Sequence, residues 1–107
     1  MKKIKSQEDF KEIRTCDIHL ISMKWIENGR DLEFEFFANE NEKSNFVCTW
    51  ANNMDTSLST KPNHGGYPLT WDITLKVCEN ETIEVKFDFA STGYISVTCN
   101  DLIYYQP

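Results

Sequence analysis

The sequence predicts an all-β fold: two antiparallel meander sheets of three to four strands each, packed as a β-sandwich or flattened barrel, with a short N-terminal helix. Three observations carry this. Apolar and polar residues alternate with period two through most of the chain after about residue 18, the spacing of strands with one buried face. Asn28-Gly29 separates two such runs, and a type I′ hairpin turn needs positive φ at both central positions, which Asn and Gly tolerate. The runs also fall into two groups on either side of a stretch containing two Pro and two Gly. Neither group can hide its apolar face alone, so each is expected to cover the other. The 107 residues suit one domain, 1–107. It divides into a helix at 6–14, a first meander at 16–51, a crossover at 52–68 and a second meander at 69–105.

Ser6-Gln7-Glu8-Asp9 has the form of a helix start, with Ser6 as N-cap and acids in the first turn. Phe10 and Ile13 would share one face of that helix. In the first meander, Asn28-Gly29 at the tip sets Trp25 opposite Leu32, Met23 opposite Phe34 and Ile21 opposite Phe36. On the other face Lys24 meets Glu33, a favourable cross-strand pair. Phe46, Cys48 and Trp50 continue the apolar face against Phe36, Phe34 and Leu32. Ile18, Leu20 and Phe37 fall on the polar face, where the helix is expected to cover them.

In the second meander Leu69, Trp71, Ile73, Leu75 and Val77 point inward, with Trp71 as the first large core residue. A three-residue loop at Glu79–Glu81 sets Trp71 against Phe89 and Ile73 against Phe87. The same register puts Asp72 directly across from Asp88. Ser91-Thr92-Gly93, with Gly at a bulge position, sets Phe89 against Ile95, Phe87 against Val97 and Val85 against Cys99. Leu102, Tyr104 and Tyr105 add a final strand.

The stretch KPNHGGYPLTWD (61–72) is read first as a corner. Gly65-Gly66 supplies unusual torsions, Pro62 and Pro68 stiffen the ends, and Met54–Thr60 forms a short edge strand before it. Gly-Gly here is no phosphate cradle, because neither a Lys nor a helix start follows. His64 and Tyr67 could still line the rim of a binding surface.

Composition narrows the function. Residues 1–14 carry a net charge of +2 and residues 27–107 a net charge of −8, within −6 overall. An acidic body repels phosphate backbones, so a basic protein is the expected partner and nucleic acid is not. MKKIKSQEDF has no apolar run behind its lysines and no later run could span a bilayer, so a cytoplasmic protein without membrane contact is expected. The four Cys are far apart and read as free thiols. Cys16 and His19 have C-x-x-H spacing but would point to opposite faces of a strand, so no metal is expected; His19 is placed on the core side near Ala38. Cys48 and Cys99 read as core thiols. Glu33 and Glu35 share a strand face, and Lys24 accounts for Glu33 without chemistry. No cofactor is expected and no nucleophile–base arrangement stands out, so the chain is read as a non-enzyme.

Two like charges facing each other, Asp72 and Asp88, destabilise a sheet unless a cation or a partner's base answers them. They lead to the primary expectation, a small acidic module that binds a basic protein, as an immunity- or antitoxin-type inhibitor would, through Asp72, Asp88, His64 and Tyr67. The alternative is a small-ligand binder with a cleft near Tyr67, Trp71 and His64. A third class, an enzyme using His64 with a nearby acid, has the least behind it. A free sheet edge would also allow a homodimer.

Overall fold

The computed structural model describes residues 1–59 and 67–107. Its nine described strands are β1 (Lys2–Ile4), β2 (His19–Ile26), β3 (Asp31–Asn39), β4 (Glu42–Thr49), β5 (Asn53–Leu58), β6 (Asp72–Val77), β7 (Ile83–Asp88), β8 (Gly93–Cys99) and β9 (Asp101–Tyr105). They form two antiparallel sheets, a five-stranded one in the order β1-β9-β4-β3-β2 and a four-stranded one in the order β5-β8-β7-β6. The fold is the all-β two-sheet arrangement that the alternation demands. No helix of the described residues is long and apolar enough to cross a membrane.

Phenylalanines lock the sheets together. Phe87 of the second sheet lies 4.3 Å from Phe34, 5.6 Å from Phe36 and 6.1 Å from Phe46 of the first, ring centroid to centroid. All four are fully buried. Truncating such a side chain to Ala typically costs about 3–5 kcal/mol.

The Asn28-Gly29 hairpin has the expected register near its turn, with Trp25 opposite Leu32 and Met23 opposite Phe34, but a bulge puts Leu20 rather than Ile21 opposite Phe36. Asn28 (φ 57°, ψ 33°) and Gly29 (φ 89°) take type I′ torsions. The β6–β7 hairpin also has its expected register, with Ile73 opposite Phe87 and Asp72 opposite Asp88.

Two other hairpins are slipped by two residues. Phe46 faces Phe34 and Cys48 faces Leu32, because β3 runs on to Asn39 and the turn is tighter than expected, with the Asn41 N–H bound to Asn39 Oδ1 at 2.9 Å. Trp50 therefore falls beyond the strand, at φ 51° and exposed, rather than against Leu32. In β7–β8, Phe87 faces Ile95 and Val85 faces Val97, because the loop takes in Phe89, whose N–H bonds to Gly93 O at 2.8 Å. A two-residue slip preserves parity, so Phe46, Cys48, Val85, Phe87 and Val97 still enter the core.

Larger corrections concern the N-terminus and the last strand. Instead of a helix over 6–14 there is a single 3-10 turn, Gln7–Phe10. Asp9 accepts the N–H groups of Lys5 (2.8 Å) and Ser6 (3.1 Å), but Glu12 has φ 72°, which a helix cannot continue through. The turn packs on β6 rather than on the outer face of the first sheet. The Gln7 amide donates to Ile73 O at 3.3 Å and accepts from the Leu75 N–H at 2.7 Å. Ile18 and Leu20 need no cover, because a bulge between Leu20 and Ser22 brings Leu20 opposite Phe36 and both residues are buried. The same bulge puts His19 opposite Phe37 rather than on the core side, with its ring 5.2 Å from the Phe37 ring. β9 belongs to the first sheet, between β1 and β4, and not to the second meander. β5 is the short edge strand expected within the crossover, at Asn53–Leu58 on the edge of the second sheet.

Candidate interaction surface

The strand registers set out two polar outer faces. On the first sheet, acids meet bases. Asp31 accepts from Arg30 Nε and Nη2, both at 2.9 Å, and from the Trp50 N–H at 3.1 Å. These bonds, the Arg30 guanidinium foremost, hold its carboxyl below the usual range despite burial. Glu33, 8% exposed, accepts from the Tyr105 hydroxyl and pairs with Lys24 at 3.4 Å. Tyr105 does most to keep Glu33 below its ordinary value, and burial pushes Tyr105 itself up. Asn45 Nδ2 donates to the Tyr105 oxygen at 3.3 Å. Asp101 is met by Lys5 at 3.1 Å and Lys3 at 3.9 Å.

The second sheet is different. Asp72 and Asp88 face each other across β6 and β7. Asp72 Oδ1 accepts the Ile73 N–H at 2.8 Å and the Thr15 hydroxyl at 3.2 Å; Asp88 Oδ1 accepts the Ala90 N–H at 2.9 Å. These are neutral donors, and among the described residues neither acid forms an ion pair. Tyr94 stands opposite Asp88, but its hydroxyl donates to Asp55 at 3.0 Å, which raises its pKa. Lys86 lies over the Tyr94 ring at 5.0 Å, a cation–π contact. A shallow depression of about 380 Å³ continues along this face, lined by Asn53, Asp55, Glu84, Lys86, Tyr94, Ser96 and Thr98.

Trp71 borders the acidic pair. It was expected in the core, yet it is 71% exposed. Residues 68–70 pair with the start of β2, through Leu20 N–H to Pro68 O and Thr70 N–H to Ile18 O, both at 2.9 Å. From Asp72 the chain pairs with β7 instead. It bends between these partners and leaves the indole outside, while the Trp71 N–H holds Asp88 O at 2.6 Å. Tyr67 is 57% exposed and meets Phe37 of the first sheet edge-on, at 6.0 Å. His64 lies outside the described residues.

Other residues singled out from the sequence have structural surroundings. Cys48 and Cys99 are both fully buried, and the neighbouring Cys99 thiol, together with burial, pushes the Cys48 thiol well above its ordinary pKa. Glu35 accepts from the Ser22 hydroxyl at 3.1 Å. Among the described residues no group of three or more His, Cys, Asp or Glu could hold a metal ion. The Glu33–Tyr105–Asn45 chain has no local sequence signal, because it depends on β9 lying beside β4 in the first sheet. The Asp72–Thr15 contact had no sequence signal at all.

No protein-family model matches the chain, and no curated protein matches it. A crystal structure of an uncharacterized protein from Neisseria gonorrhoeae is similar, with a TM-score of 0.68 at 12% identity, over 88% of this chain and 95% of that one. That likeness is one of fold.

Proposed function

We propose that the protein is an acidic binding module that recognises a basic protein through the outer face of its second sheet, in the manner of an immunity- or antitoxin-type inhibitor. The observation that carries this reading is the facing pair Asp72 and Asp88, answered only by neutral donors among the described residues and bordered by the exposed Trp71. A Lys or Arg brought between the two carboxylates would relieve their repulsion. An exposed indole beside them is a residue type that often dominates binding energy. Acidic character across the rest of the body would speed encounter with a basic partner. The small-ligand alternative has less support, since Tyr67 and Trp71 are each more than half exposed.

The test is affinity capture from the source cell's lysate at low and high salt. Asp72→Asn/Asp88→Asn serves as the control bait, because Asn removes the charge yet keeps an oxygen for the Ile73, Thr15 and Ala90 donors. A basic protein held by the native bait, and lost from the control and in high salt, supports the reading. Equal capture by both baits overturns the role of the pair.

A further inference from the structure

The sheets end in four edges, and three are guarded. β1 is three residues long and carries Lys2 and Lys3. β2 is interrupted by its bulge and carries Lys24. β6 has part of its open backbone taken by the Gln7 amide. Short length, lysines, bulges and covering groups are the usual defences against edge-to-edge pairing. β5, Asn53–Leu58, has none of them among the described residues. It holds no Lys or Pro, all six of its residues are exposed, and its ladder with β8 runs without a break from Asn53 to Leu58. Gly93 makes that ladder possible, since a Cβ there would lie 1.6 Å from the Ser57 carbonyl oxygen.

We propose that β5 pairs antiparallel with β5 of a second copy of this chain, joining two four-stranded sheets into one of eight strands around a two-fold axis. The sequence selects the register. A two-fold axis normal to the sheet keeps both inner faces on the same side, so facing residues must share parity. With Thr56 opposite Thr56 of the second copy, Met54 meets Leu58 and Asp55 meets Ser57. Met54 and Thr56 lie on the inner face, because their β8 partners Val97 and Ile95 are core residues; Leu58 shares that face. Met54 is 39% exposed and Leu58 37%, and this pairing covers both. The one charged side chain of the strand falls opposite a hydroxyl that can donate to it. Shifting the register one way sets Asp55 against Asp55, a like-charge contact. Shifting it the other way sets Leu58 against Thr56 and separates the apolar pairs. The proposal does not rest on the basic-partner reading, because β5 and β6 are opposite edges of the sheet.

Sedimentation velocity on the purified chain, from about 1 to 100 μM, suits the weak association expected of a small interface. It should show a dimer whose share rises with concentration. Thr56→Lys, which sets two ammonium groups face to face on an exposed position, should raise the dissociation constant about tenfold or more. Site-specific oxidation reads the register directly, in a Cys16→Ser/Cys78→Ser background. Thr56→Cys should cross-link readily, since facing Cα atoms about 4.5–5.5 Å apart lie within disulfide reach. Asp55→Cys should not, because its copies would be about 8 Å apart in this register. A monomer at every concentration, a dimer indifferent to Thr56→Lys, or Asp55→Cys cross-linking as readily as Thr56→Cys would each overturn the proposal.

Discussion

The two outer faces use the same residue type in opposite ways. On the first sheet Asp31, Glu33 and Asp101 each have a basic neighbour from the chain itself, and Asp31 and Glu33 are nearly buried. On the second, Asp72 and Asp88 face each other and bond to neutral donors. Burial accounts for the contrast at Asp31 and Glu33. A carboxylate removed from water costs several kcal/mol unless it is paired, so the fold supplies partners where strands shield the acids. Near the second sheet's edge, where Asp72 and Asp88 are only half-buried, two N–H groups and the Thr15 hydroxyl suffice to tolerate the charge. The lesson is that acids differ in what answers them: Asp31 and Glu33 are buried, paired structural groups, whereas Asp72 and Asp88 are met only by neutral donors among the described residues, which is what motivates the proposed partner.

That contrast can be broken experimentally, starting with the largest expected effect. Asp72→Lys/Asp88→Lys should abolish binding of a basic partner, lowering affinity by two orders of magnitude or about 3 kcal/mol, in a titration at low salt. Next, Glu33→Ala should destabilise the fold by about 1–3 kcal/mol, because it removes the charged acceptor of the half-buried Tyr105 hydroxyl; urea unfolding measures this, and partner affinity should not change. Trp71→Ala should weaken binding about tenfold and leave the melting temperature where it is, since the indole makes no core contact. The smallest effect is Asp72→Asn, which should change stability by no more than about 0.5 kcal/mol.

Acid sharpens the comparison further. Asp31 and Glu33 are held below their ordinary pKa values, so in acid the unfolded chain takes up protons that the folded chain refuses. Their contribution is complete above the ordinary carboxylate range near about pH 4 and is lost as pH falls through the depressed values. The melting temperature should therefore decline from about pH 5 downward, and Glu33→Gln should flatten that decline.

The sequence was most informative where one local feature decided the structure. Asn28-Gly29 fixes its hairpin because few other residues accept both torsions, and the loop at Glu79–Glu81 sets Asp72 against Asp88. Facing direction survived even where register did not: Phe46, Phe87 and Val97 enter the core despite two-residue slips, since parity is unchanged. What failed depended on distant partners. The bulge that buries Ile18 and Leu20 leaves no local mark. Trp71 is put outside by the competing pulls of β2 and β7, which alternation within one strand cannot register. β9 joins the first sheet because β5 and β7 occupy both sides of β8, leaving the open side of β4 to take it. The acidic pair was thus legible, whereas its exposed Trp neighbour and the Thr15 hydroxyl that steadies Asp72 were not.

The most direct test of the central claim is capture on native and Asp72→Asn/Asp88→Asn baits of matched melting temperature, at low and high salt. The account expects a basic protein on the native bait at low salt, strongly reduced on the Asn bait and absent in high salt. A partner retained equally by both baits would contradict it, and would assign Asp72 and Asp88 to the same structural role as Asp31 and Glu33.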